Sequence, residues 1–302
     1  NASGFVQPDF FSARTIAVDF KLLSFLTQEF VISRVILKDP EFNIEIDQEG
    51  ESNLAYFTGC ASTQLWKWVG KKRKLLHPIG RYTLEKFAVH NGTIRLIRRL
   101  KEDEIVTFNV ISFSLARMVY PPDPEEALPA AIYLNATVPS VSEGKILILG
   151  RFHPFMPEKS FDLTASLKGL ALAQSNVLWP DFPLRFSEGT LQLKVKAICH
   201  ENQLDFYHQV HIENVKFDSE ADTGKAPLVF GLPAPVLVHF FNDLQPSNEP
   251  FGFDFRVVGD LDDHEFSFFP AVQKEIHKAI AGQVTSRIEA AAQQAQQAPA
   301  QA

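Results

Sequence analysis

The chain is predicted to be mainly β: a long curled antiparallel sheet with a few short helices and a C-terminal amphipathic helix. Three observations predict this. Apolar and polar residues alternate in segment after segment, which is the two-residue period of a half-buried strand. Helical spacing is confined to short stretches and to the final helix. The aromatic complement is lopsided, with 27 Phe against 5 Tyr and 3 Trp. Phenylalanine has no polar tip to satisfy, so it suits a dry surface.

The elements follow in chain order. Ile16, Val18 and Phe20 share one face of A-R-T-I-A-V-D-F, and Phe30 to Leu37 is a denser apolar run. After Asp39-Pro40, Phe42, Ile44 and Ile46 alternate with Asn43, Glu45 and Asp47, a strand with one wet face. Gln48-Glu49-Gly50 turns the chain. Residues 62–79 form a Trp/Lys-rich insertion in which a short helix is predicted from near Ser62 to near Gly70. Strands resume at Tyr82–Val89 and Gly92–Arg98, and the Asn91-Gly92 pair between them predicts a hairpin. Glu104–Ala116 reads as a strand with Ile105, Thr107, Asn109, Ile111, Phe113 and Leu115 on one side. The proline-rich stretch Tyr120–Pro129 reads as a loop.

Strands are next predicted at Ala131–Val138, Lys145–Phe152 and Ser160–Leu170, then a short helical connection at Ala171–Trp179. Leu191, Leu193, Val195 and Ala197 alternate with Gln192, Lys194 and Lys196. Leu204, Phe206, His208, Val210 and Ile212 share a side of the following strand. A helix at Pro235–Asn242 leads to F-G-F-D-F-R-V, where Phe251, Phe253, Phe255 and Val257 leave one face. The last helix carries Val272, Ile276, Ala279, Ile280, Val284 and Ile288 at three- and four-residue spacing. The expected organisation is one domain over 1–288 and a disordered Ala/Gln-rich tail over 289–302. About a dozen strands stack to roughly 55–60 Å.

Composition narrows the function classes. The 302 residues are 45% hydrophobic and 22% charged, as in ordinary folded chains. A net charge of -7 and a pI near 5.7 speak against a nucleic-acid partner, which needs a basic footprint. No run of ~20 apolar residues is present to span a bilayer. Cys60 and Cys199 allow one disulfide at most, and free buried thiols are the expectation.

No catalytic constellation stands out, and no cofactor is expected. The nucleophile elbow, the H-E-x-x-H helix and the C-x-x-C pair are absent, and Asp222-Thr223-Gly224-Lys225 lacks phosphate-loop spacing. Asp260, Asp262, Asp263, His264 and Glu265 are dense but read as a solvated turn rather than a metal site. His208 and His211 face opposite ways along a strand, which removes a shared metal. Trp66, Trp68, Lys71, Lys72, Arg73 and Lys74 carry an interfacial pattern, indoles at headgroup depth beside cations. A helix packed on the sheet with solvated cations is the alternative for that segment.

Order and spacing of short motifs carry a resemblance. Leu22-Leu23, Leu37, Pro40, Asp47, Gly50 and Asn53-Leu54 follow one another around the first strands. Later come S-E-G-T-L-Q-L-K-V, N-Q-L-D-F-Y-H-Q-V-H-I-E-N-V, G-L-P-A-P-V-L-V-H-F-F-N-D and V-V-G-D-L-D-D-H-E-F. In these the chain resembles AsmA-like proteins of Gram-negative envelopes, in the AsmA-related subgroup with a domain of unknown function. The resemblance implies a periplasmic β-groove tethered to the inner membrane, associated with phospholipid movement toward the outer membrane. The family's membrane helix and first strands would lie upstream of Asn1.

The expectation is a non-enzymatic lipid-handling module with phospholipid as its partner. Phe42, Ile44, Ile46, Phe113, Leu191, Leu193, Phe206, Phe251, Phe253 and Phe255 are expected to line the groove. The alternative is a structural subunit of a larger envelope assembly, as a homo-oligomer or with other envelope proteins, joined through open sheet edges.

Overall fold

The structure is a computed structural model of the chain. It describes residues 9–47, 52–53, 80–99, 104–139, 143–178, 184–218, 228–229, 232–244, 250–263 and 266–297. The chain divides into two compact units, Asn1–Ser166 and Leu167–Ala302. In hydrogen-bonded order the main sheet has ten strands, β1 to β9 and then β12, while β10 and β11 form a separate pair. The mainly β fold read from the alternation is therefore found.

The first unit holds β1 (Phe11–Phe20), a 3-10 turn (Leu22–Thr27), β2 (Glu29–Ile46) and β3 (Arg81–Arg98). After these come β4 (Glu104–Tyr120), β5 (Ala130–Val138) and β6 (Gly144–Phe152). Strand β7 (Phe161–Ala171) runs across the unit boundary. Most neighbours pair antiparallel, but β2 and β3 are parallel, so the sheet is mixed rather than all antiparallel. A parallel pair needs a crossover of a dozen or more residues. The connection from 47 to 80 supplies it, and that connection contains the Trp/Lys-rich stretch.

Two predicted strand breaks are absent. Asp39-Pro40 lies inside β2, and Asn91-Gly92 lies inside β3 instead of making a hairpin. Asp39 and Asn91 instead take φ of 49° and 56°. They are aligned between the pairs Lys38–His90 and Glu41–Thr93, so both strands accommodate the irregularity together and continue. Strand β4 shifts register against β5 between Val110 and Ser112. One extra residue reverses which side the following side chains face. Accordingly Val106 and Val110 are buried while Ile105 and Ile111 are exposed, correcting the single face expected for β4. Gly92 shows the same switch: a Cβ there would sit 3.0 Å from Val89 Cγ1 and 3.2 Å from Pro40 Cγ.

The second unit contains α1 (Leu172–Ser175), β8 (Phe186–His200), β9 (Gln203–Phe217), β10 (Leu228–Val229) and β11 (Leu232–Pro233). Next come α2 (Ala234–His239), widened into a π turn at Phe240–Leu244, β12 (Phe251–Asp260) and α3 (Phe268–Gln297). The last helix runs past Ile288, where its apolar spacing ends; Ala and Gln are good helix formers and carry it to Gln297. Its Ile280 and Val284 are buried in one cluster with Phe251, Phe253, Phe255 and Val257 of β12 and with Leu237, Phe240 and Phe241. Gln283 Nε2 donates to the Gly252 carbonyl at 2.6 Å, and the Arg287 guanidinium lies 5.8 Å from the Phe251 ring centre.

Candidate functional site

The first unit carries an apolar face built by strand register. Directly paired positions place Ile16, Leu37, Val89, Phe113, Leu134 and Ile148 in one row across β1 to β6. A second row joins Val18, Val35, Phe87, Leu115 and Ile132. Beyond the aligned irregularities the pattern resumes as Phe11, Phe42, Ile94 and Phe108. Leu37, Val89, Val110 and Ala136 form its buried centre, with Phe87, Ile94, Phe113, Leu134 and Ile146 half-buried around them. Toward β1 the face opens, and Ile16, Val18 and Phe11 are exposed.

Five spacings of about 4.8 Å make the six-strand row roughly 24 Å long. That exceeds the depth of one bilayer leaflet, about 15 Å of hydrocarbon. No α-helix lies on this face among the described residues of the unit. Of the predicted lining residues, Phe42, Ile44, Ile46 and Phe113 belong to this unit, and all four are half-buried.

The remaining predicted lining residues have a different fate. Phe251, Phe253 and Phe255 are buried under α2, the π turn and α3, with Leu191, Leu193 and Phe206 packed against the same cluster. These six residues fill an ordinary core instead of lining a trough. The reason is that one long helix and one short one bring enough apolar surface to close the face that β8, β9 and β12 offer. The opposite side of those strands is wet. Arg256 donates to both carboxylate oxygens of Asp205, and Tyr207 OH donates to Asp254 at 2.6 Å.

The Asp260 and Asp262 carboxylates are held by local bonds. Asp262 N–H donates to Asp260 Oδ1, Asn202 Nδ2 donates to Asp262 Oδ2, and Gln203 Nε2 donates to Asp260 Oδ2. His208 is buried and His211 exposed, on opposite sides of β9. Burial pushes the His208 imidazole below its ordinary value and the Cys199 thiol above its own. Cys199 is buried. Cys60, Asp222–Lys225, His264, Glu265 and the interfacial candidates Trp66, Trp68, Lys71, Lys72, Arg73 and Lys74 lie outside the described residues.

Three asparagines to which the sequence reading gave no bonding role act as single-residue strand partners. Asn242 accepts from Phe217 N–H at 3.0 Å and donates to Phe217 C=O at 3.1 Å. Asn176 makes the same pincer on Phe186. Asn53 accepts from Glu45 N–H and donates to Asn43 C=O, where β2 extends beyond its pairing with β1. Glu45 is fully buried and its carboxylate meets Arg99 at 3.2 Å.

No described helix is long and apolar enough to cross a membrane. Comparison with protein-family models, with curated proteins and with solved structures finds no match for this chain.

Proposed function

We propose that this chain is a non-enzymatic lipid-handling module of the AsmA-like kind, working in the periplasm and sheltering phospholipid acyl chains on the apolar face of its first unit. The observation that carries the reading is the row Ile16–Leu37–Val89–Phe113–Leu134–Ile148, apolar at every strand and opening at β1. A face closed by the chain's own helices, as in the second unit, has no room for such a guest.

The mechanism is passive partition. Each sheltered CH₂ contributes about 0.8 kcal/mol over water, so a row of this length holds an acyl chain without any catalytic group. The headgroup stays in water at the exposed β1 side, where Arg14 and Asp39 form a surface ion pair. The motif order described above supports the envelope setting and tethering to the inner membrane.

The test is lipid extraction from the purified full chain, followed by mass spectrometry. Phospholipid should co-purify, and the double substitution Ile16→Glu/Val18→Glu should remove most of it while the chain stays folded. A lipid-free wild type, or unchanged lipid in the variant, would sink the reading.

A further inference from the structure

A separate apolar feature projects from the end of β1. In the 3-10 turn, Leu22, Leu23 and Leu26 are 75%, 79% and 83% exposed, and Phe25 is exposed beside them. Three nearly bare leucines in five residues are costly in water. We propose that this turn is a membrane-seating tip, inserted into the interfacial zone of a phospholipid bilayer.

Both hydroxyls of the turn are already satisfied from within. Ser24 Oγ donates to Lys21 C=O at 2.6 Å, and Thr27 Oγ1 donates to Ser24 C=O at 2.9 Å. Ser24 N–H bonds Lys21 C=O, and Gln28 N–H bonds Phe25 C=O. A segment whose hydroxyls bond its own carbonyls enters an apolar medium at little cost. The cation at its base is held as well, with Lys21 Nζ on Glu85 Oε1 at 2.5 Å.

From the tip a chain of aromatic rings runs across the ends of β2, β3 and β4. Phe25 meets Phe30, Phe30 meets Phe20 and Tyr82, Tyr82 meets Tyr120, and Tyr120 meets Phe155, at centroid distances of 5.6 to 6.5 Å. Tyr82, Tyr120 and Phe155 are exposed. A leucine cap above a tyrosine-bearing girdle matches the layering of a bilayer interface, hydrocarbon then headgroup.

Area distinguishes the bilayer from a second copy of the chain. Four such side chains offer about 500 Å², below the roughly 800 Å² per partner that a stable interface buries. A bilayer requires no complementary surface, and apolar insertion to about 5–10 Å suffices. The inference does not depend on acyl chains occupying the strand face.

The experiment is co-sedimentation of the full chain with phosphatidylcholine vesicles in about 0.5 M salt, which screens cationic attraction. The wild type should bind, and Leu22→Ser/Leu23→Ser/Leu26→Ser should partition at least tenfold more weakly. Leu26→Ser alone should fall between them, and all should share one melting temperature because these side chains pack on little. Co-purified lipid should be unchanged in the triple variant, which separates this proposal from the lipid-sheltering one. Equal sedimentation of wild type and variant, or no wild-type binding, overturns the proposal. So does a wild-type dimer that the substitutions convert to monomer without changing vesicle binding.

Discussion

His208 lies flat against Phe255, its cross-strand partner, with ring centroids 4.3 Å apart and planes 5° from parallel. The imidazole takes the place of a phenyl ring in the stripe of β9 that faces the second unit's core. Burial favours its neutral form and lowers its proton affinity below the ordinary value of 6.5. The unfolded chain therefore takes up this proton first as pH falls. Stability linked to His208 is complete above about pH 6.5 and declines below it, until the native imidazole itself is protonated. Urea midpoints at pH 7.5 and 5.5 should fall more for the wild type than for His208→Phe. Equal losses would show that the imidazole is not held neutral.

Phe253 and Ile16 both sit on apolar strand faces, yet they should respond differently to truncation. Phe253 is 7% exposed in a cluster closed by α3, whereas Ile16 is 57% exposed. Phe253→Ala removes a ring from a packed interior and should cost about 3–5 kcal/mol. Ile16→Ala should cost less than about 1 kcal/mol, as surface changes do. Denaturant midpoints decide this. It follows that Phe253→Asp, an obvious way to poison a groove, would instead unfold the second unit, which limited proteolysis would reveal.

Asn242 joins the middle of the π turn to Phe217 through two amide bonds that replace a strand rung. Removing them with Asn242→Ala leaves a backbone N–H and C=O of a buried residue without that partner. The expected cost is about 2 kcal/mol, since each net bond contributes about 1 kcal/mol. Asn242→Asp keeps the acceptor and loses the donor, so its loss of stability should be intermediate. Thermal denaturation of the two variants beside the wild type measures the order.

Much of the fold is legible because alternation is a local property. The stripes Phe251–Val257, Leu191–Ala197 and Leu204–Ile212 can be read from spacing alone, and each is found on one side of its strand. What local pattern does not carry is an extra residue in mid-strand. Asp39-Pro40 and Asn91-Gly92 have the chemistry of turns, and only their alignment in neighbouring strands makes them irregularities within strands. Nor does alternation say what covers a stripe. Phe42 and Phe253 look alike in sequence, but within the second unit α3 returns to β12 and covers Phe253. The asparagine pincers are silent for the same reason, because a lone Asn beside phenylalanines has no period.

Gly150 in β6 lies close against the backbone of β7. A Cβ at that position would point into the Asp162 carbonyl and lie 2.7 Å from Leu163 Cα. Both neighbours are main-chain atoms of β7, so no side chain can swing away to make room. Gly150→Ala must separate β6 from β7 locally or bend one of them, and overpacking of this kind costs about 1–3 kcal/mol. Gly92→Ala is the informative control. Its nearest neighbours are side-chain carbons of Val89 and Pro40 at 3.0 and 3.2 Å, which can shift by tenths of an ångström. Gly150→Ala should therefore melt clearly below Gly92→Ala. The reverse order would mean that β6 and β7 do not approach as closely as these positions require.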